Sequence, residues 1–246
     1  MEARCRILQG RKLSFDEESR ALYGTVARRF ADEELLAVLA RLDRRLVEEG
    51  FAGSSLEERL ASFRQQFTVP PDRIDAVFRA ALAAARERTL EHLDLPAEES
   101  FRVEYVEEPP WSAYNWYQGR YESLIQVNVR FPVRVLPLLM LACHEGYPGH
   151  HVHHTLIDHH LLRRRGWIEH TVHVLFSPQA LTSEGVATQE IELVFPDRDC
   201  LILLRDELFP RAGLDPRQAE TYLELSTIQE DLAPAGQEAA RDPPGS

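Results

Sequence analysis

Pro148 and Gly149 fall inside a run of histidines directly behind an apolar helix, and this juxtaposition limits the fold more than any other feature of the chain. Nine of the ten histidines lie between His144 and His173, and the centre of the run reads His144-Glu145-Gly146-Tyr147-Pro148-Gly149-His150-His151. The nine residues before it, Val135 to Cys143, are apolar without a break, so the helix they predict is buried on every side. On an unbroken helix His144 and His150 would point about 240° apart, and His151 would return to the first face about 10 Å further along. Neither pair converges. Pro148 has no amide to offer the carbonyl of His144, and Gly149 tolerates unusual backbone angles. The helix therefore breaks, and the break brings His150 or else His151 back toward His144. Either is allowed; His150 is the preferred partner.

A histidine pair beside a carboxylate is what a hydrolytic zinc site needs. Neutral imidazoles hold the ion, and the neighbouring carboxylate, here Glu145, takes a proton from the attacking water. In the common zinc-protease pattern the two histidines sit four apart on a regular helix, so the broken helix replaces that spacing here. Glu184 is the candidate third ligand. On a helix it shares a stripe with Leu181, Thr188, Ile191 and Phe195, and a carboxylate on a mostly apolar stripe is costly unless it is paired or bound to metal.

The remainder of the chain supplies a scaffold. Residues 16–95 read as helices, with Leu35, Leu36, Leu39, Leu42 and Leu46 at helical spacing, a short helix at 56–67, and another opened by Pro70-Pro71. From Pro96 the pattern changes. Phe101, Val103 and Tyr105 alternate with polar residues, as do Ile125, Val127, Val129 and Phe131, around an aromatic loop holding Trp111, Tyr114, Trp116 and Tyr117. The expected fold is mainly α with a small antiparallel β-sheet. Further helices are expected near 166–176, 179–195, 198–208 and 218–232. The organisation expected is a helical scaffold over 1–95, a sheet with the metal-site helices over 96–233 packed with it as one unit, and a disordered tail over 234–246.

With 246 residues, a net charge of −12 and 28% charged residues, the chain is a poor candidate for binding nucleic acid or an anionic membrane surface. Its longest apolar run is too short to span a bilayer. No apolar signal segment follows Met1, and Cys5, Cys143 and Cys200 are odd in number and far apart. Reduced thiols in a cytoplasmic protein are the expectation.

The octapeptide, with Glu184-Gly185-Val186-Ala187 some thirty residues later, resembles the DUF885 family of bacterial proteins, which is grouped with zinc metallopeptidases of the gluzincin type. The resemblance covers roughly residues 103–195. It implies a gluzincin-like core, one zinc ion per chain held by His144, His150 and Glu184, and Glu145 as general base. It also implies that the strand before the His-Glu helix, 123–130, pairs with a peptide or small amide substrate. Family members usually carry Trp where Val186 stands, and many continue into helices rich in Tyr and Arg, whereas this chain stops soon after Leu232. A short or truncated member is expected, and the alternatives to a peptidase are a non-catalytic metal-binding scaffold and an amidohydrolase acting on small molecules.

Around this set, His151, Tyr147, His173 and Tyr117 are candidates for touching substrate or orienting a ligand. His153, His154, His159 and His160 read as polar surface or as side chains with satisfied hydrogen bonds, and Cys143 as core.

Overall fold

The structure, a computed structural model, describes residues 2–108 and 110–241; of Glu190 and Asp197 it describes the backbone alone. It is mainly helical with one three-stranded sheet. In chain order the elements are α1 (Glu2–Leu8), α2 (Phe15–Tyr23), α3 (Asp32–Glu48), α4 (Leu56–Gln66), α5 (Ile74–Leu90), β1 (Ser100–Val106), β2 (Ala113–Gly119), β3 (Glu122–Asn128), α6 (Val135–Leu141), α7 (His150–Ile157), α8 (Pro178–Val194), α9 (Asp197–Leu203), α10 (Phe209–Ala212), α11 (Ala219–Glu230) and α12 (Ala233–Arg241). No helix among the described residues is long and apolar enough to cross a membrane.

The chain divides into two compact units. The first comprises residues up to Gln66, Val174–Thr182 and the segment from Thr221 onward; the second comprises Phe67–His173 and Ser183–Glu220. The expected boundary at 96 and the expected single packed unit are therefore corrected. The reason lies in α5. Its buried side, Val77, Phe78, Ala81, Leu82 and Ala85, packs on α6 and on the turn that follows it, so α5 belongs with the histidine-bearing segment.

In the first unit, α2 begins where the sequence provides a cap. Ser14 Oγ accepts from the Glu17 amide, Glu17 reaches back to the Ser14 amide at 2.9 Å, and Gly24 ends the helix at φ +78°. Leu42 and Leu46 of α3 are buried, as is Phe63 of α4, whose ring stacks on Tyr222 of α11 with centroids 5.8 Å apart. The disordered tail expected from 234 is also corrected. Residues 233–241 form α12, anchored by Arg241, whose side chain is only 2% exposed, pairs with Asp16 and Glu238 and donates to the Ala27 carbonyl. Residues 242–246 lie outside the described residues.

In the second unit the sheet has the order β1-β3-β2 and is mixed rather than antiparallel. β3 runs parallel to β1, with Val103 opposite Ile125, and antiparallel to β2, with Asn115 opposite Ile125 on the other side. The expected aromatic loop is β2 itself. Alternating Tyr and Trp suit a pleated, half-buried surface, and the Tyr114 and Trp116 rings lie 4.5 Å apart. β3 is central, so its backbone groups are taken on both sides. The expectation that residues 123–130 pair with substrate does not hold, because no edge is left there. Ser123, Ile125 and Val127 form the inward face of β3 and are fully buried.

The helix expected at 166–176 is also absent; a single 3-10 turn, Ile168–Thr171, stands there. Gly166 at φ +71° ends the preceding helical stretch, and Thr171, Val172 and Val174 are β-branched, which disfavours a new helix.

β2 and β3 are joined by Arg120 and Tyr121, both at positive φ (55° and 66°), a conformation usually left to Gly or Asn. Asp158 holds this turn. Its carboxylate, nearly fully buried, accepts from the Arg120 amide at 3.0 Å, the Tyr117 hydroxyl at 2.7 Å and Arg163 Nε at 2.8 Å. Charged-acceptor bonds of this kind are worth about 1.5–3 kcal/mol each when one partner is lost, not additively. Asp158→Ala is expected to lower unfolding free energy by about 3 kcal/mol in urea denaturation. A midpoint equal to that of the unaltered chain would show that the turn holds without it.

Candidate metal centre

The break in the helix forms as the missing groups require. After α6 the chain widens into a π-helical turn, Ala142–Gly146, in which the Tyr147 amide donates to the Ala142 carbonyl five residues back at 3.1 Å. Pro148 has no amide for His144, and the next donor, the Gly149 amide, reaches the Cys143 carbonyl at 3.0 Å. A Cβ at position 149 would lie 1.9 Å from the His144 carbonyl oxygen and 2.4 Å from that of Cys143, so the chain turns this tightly only because residue 149 is glycine. Gly146 serves a second close approach, since a Cβ there would meet Leu82 of α5 at 2.5 Å. α7 then restarts at His150.

The restart brings His144 and His150 together. Their rings meet edge to face, with centroids 4.7 Å apart and planes at 84°. Glu184, from α8, reaches both: His144 Nε2 lies 3.3 Å from one carboxylate oxygen and His150 Nε2 lies 3.2 Å from the other. One ligand atom from each residue can be chosen so that all three lie within 4.8 Å of one another. Two imidazoles and a carboxylate suit zinc, and bonds of about 2.1 Å in a tetrahedral arrangement set ligand atoms about 3.4 Å apart. The donor set therefore fits the ion that the family resemblance implies. Proximity of the two histidines draws the Glu184 carboxyl well below its usual range, against the opposing effect of burial.

Glu184 is more open than its sequence stripe predicts. Its side chain is 57% exposed, and Leu181 is exposed as well. Thr188 and Ile191, further along the stripe, line a cavity of about 340 Å³ together with Ser112, Ala113, His144 and Glu145. Near Glu184 the stripe is open to solvent, while Phe195 at its far end is buried, so the carboxylate keeps much of its hydration.

Glu145 occupies the buried side of that cavity. Its carboxyl oxygen Oε2 is buried and has no hydrogen-bond partner, while its backbone carbonyl accepts from Asn115 Nδ2 at 2.7 Å. Burial pushes its carboxyl up, with the nearby His150 and His144 opposing that shift. A buried carboxylate with one oxygen unpartnered, beside three convergent side chains of metal-ligating type, is an arrangement kept for chemistry more often than for stability.

The other predicted residues are placed elsewhere. His151 points away from Glu184 and is fully buried, with Nδ1 2.8 Å from Ser123 Oγ and Nε2 2.9 Å from Glu99. The Tyr147 hydroxyl donates to the same Glu99 carboxylate at 2.6 Å, and Arg86 pairs with its other oxygen. Neither His151 nor Tyr147 is among the residues lining the cavity, and both are engaged in this internal network. Tyr117 stacks on His154 at 5.4 Å and donates to Asp158, while His173 is exposed and meets His154 edge-on at 5.6 Å. His153 and His154 are half-buried. His153 Nδ1 lies 3.2 Å from Ser183 Oγ, next to Glu184, and burial with the surrounding histidines pushes His154 down to about 3.

Sequence reasoning missed Glu99, Ser123, Asn115 and Arg86. The signal for Ser123 was a hydroxyl in the buried row with Ile125 and Val127; the others carried none. Burial alone would raise the Glu99 carboxyl from its ordinary 4.5, but hydrogen bonds from His151, Tyr147 and Arg86 outweigh it and hold the group at about 2. The stabilisation Glu99 gives is therefore complete above about 4.5 and lost as pH falls toward 2. Glu99→Gln is expected to melt lower at neutral pH and to decline less steeply between those values. Parallel melting profiles for the two chains would refute that coupling. Gly149→Ala is expected to abolish stoichiometric metal binding, checked by elemental mass spectrometry; full retention would mean that the turn is not what brings His150 to His144.

No protein-family model matches the chain, and no curated protein matches it. Its fold is similar to a solved structure described as "the putative lipoprotein from Colwellia psychrerythraea", with a TM-score of 0.51 and 15% identity over 85% of this chain. The match spans 42% of that protein's length. At this identity the similarity concerns the fold.

Proposed function

We propose that the chain is a zinc-dependent hydrolase of peptide or related amide bonds, a member of the DUF885 family with a gluzincin-like core. The observation that carries this reading is the convergence of His144, His150 and Glu184 beside the buried carboxylate of Glu145, whose Oε2 has no hydrogen-bond partner. A zinc ion held by the three ligands would supply Lewis acidity, polarising a carbonyl and lowering the pKa of water toward about 7.

The chain's own residues supply the rest. Glu145, its proton affinity raised by burial, accepts the proton that the attacking water loses and delivers it to the departing amine. The Asn115 side chain fixes the backbone carbonyl of Glu145 at 2.7 Å and so holds the base against the cavity. β2 pairs with β3 alone, and the Ser112 carbonyl accepts from the Asn128 amide. Alternation along an antiparallel pair then turns the Ala113 and Asn115 backbone groups toward the free edge. An extended peptide lying along that edge passes the cavity that Ala113 lines with His144 and Glu145.

The test joins metal content with turnover. The unaltered chain is expected to carry about one zinc ion, to lose it in Glu184→Ala, and to cleave members of a peptide library. Glu145→Gln should keep the metal and lose at least about 100-fold in turnover. Zinc bound without turnover in any substrate screen would replace the hydrolase reading with that of a non-catalytic metal-binding protein. Absence of stoichiometric metal would overturn both.

A further inference from the structure

We infer that the buried Glu99–His151–Ser123 network is the device that sets the orientation of His150, making Glu99, His151 and Ser123 positioning residues for metal binding. This rests on the metal-site reading given above.

His150 and His151 are consecutive on α7 and so point about 100° apart. One ring reaches Glu184, and the other enters the unit's interior. α7 is eight residues long and starts immediately after the break at Gly149, with no side chain capping its first turn. The helix end that carries His150 is therefore weakly fixed by its own backbone. His151 supplies the missing constraint. Both of its ring nitrogens are engaged, at 2.8 Å to Ser123 on β3 and at 2.9 Å to Glu99 just ahead of β1. Glu99 is itself clamped by Arg86 from α5 and Tyr147 from the break. The side chains of His151, Glu99 and Ser123 are at most 2% exposed, so none of these bonds competes with solvent.

The lever arm decides why this matters. Side-chain tips lie about 5–6 Å from a helix axis, so turning α7 by about 20° would move the His150 ring by about 2 Å. Metal–nitrogen distances tolerate about 0.2 Å. A rotation that a free helix end would readily make is ten times too large for a working ligand. The network blocks it from a face about 100° round the same turn. It resembles a Ser-His-acid triad in connectivity, but complete burial denies it any substrate.

The experiment measures the dissociation constant for zinc alone, by competition with a chelator, and the visible absorption of bound cobalt(II). The chains are the unaltered one, Ser123→Ala, Glu99→Gln and the core truncation Val69→Ala, each held well below its melting temperature. Val69 is buried in the same unit and belongs to no part of the network, so it reports plain destabilisation. Ser123→Ala and Glu99→Gln are expected to weaken zinc binding about 10–100-fold and to alter the cobalt spectrum, while Val69→Ala lowers the melting temperature and leaves both unchanged. If the network variants remain folded and bind zinc as tightly as the unaltered chain, the inference is overturned and the metal reading stands. If Val69→Ala loses affinity to the same extent, the network has no specific role and the inference is likewise overturned. Failure of the unaltered chain to bind zinc overturns the metal reading and this inference with it.

Discussion

Two absent groups, the amide hydrogen of Pro148 and the Cβ of Gly149, control the second unit of this protein. The missing amide leaves the His144 carbonyl without its helical partner, and the missing Cβ lets the backbone fold within 1.9 Å of where that carbon would stand. The helix widens, ends at Gly146 and restarts at His150. Without this sequence of events His144 and His150 would face in different directions, and Glu184 would have one histidine to approach instead of two. The turn is supported from below by α5, where Leu82 fills the space that a side chain at 146 would need.

The break has a cost, because it frees the first turn of α7. Two histidines in a row resolve this by taking opposite tasks. His150 meets His144 and Glu184, and His151 faces the interior, where Ser123 and Glu99 engage both of its ring nitrogens. The contrast with Glu145 is informative. One carboxylate, Glu99, receives three donors and is held fully ionised; the other, Glu145, is buried with an oxygen left unpartnered and its proton affinity raised. A stable interior favours the first arrangement, whereas acid–base chemistry favours the second.

Local pattern was readable where it depended on neighbours in sequence. The helices at 32–48, 56–66 and 74–90, the strands beginning near 100 and 122, the apolar helix before His144 and its break all follow from spacing, capping and the properties of Pro and Gly. Errors arose where pairing decided the outcome. The aromatic segment became β2 because β3 was available to pair with it, and the sheet became mixed because β3 entered between β1 and β2. The terminal segment is helical because Arg241 finds Asp16, 225 residues away.

The sequence by itself determined that a histidine pair and a neighbouring carboxylate, His144, Glu145 and His150, stand around a point at which the helix had to break, since these are properties of a few consecutive residues. Only the tertiary structure decided that His150 rather than His151 meets His144, that Glu184 reaches both, and that Glu99 and Ser123 secure the neighbouring ring. Those outcomes rest on contacts between residues 28 to 52 positions apart, set by how α5, the sheet and α8 pack. No local periodicity encodes such contacts, because their geometry depends on the burial of all the surrounding elements at once.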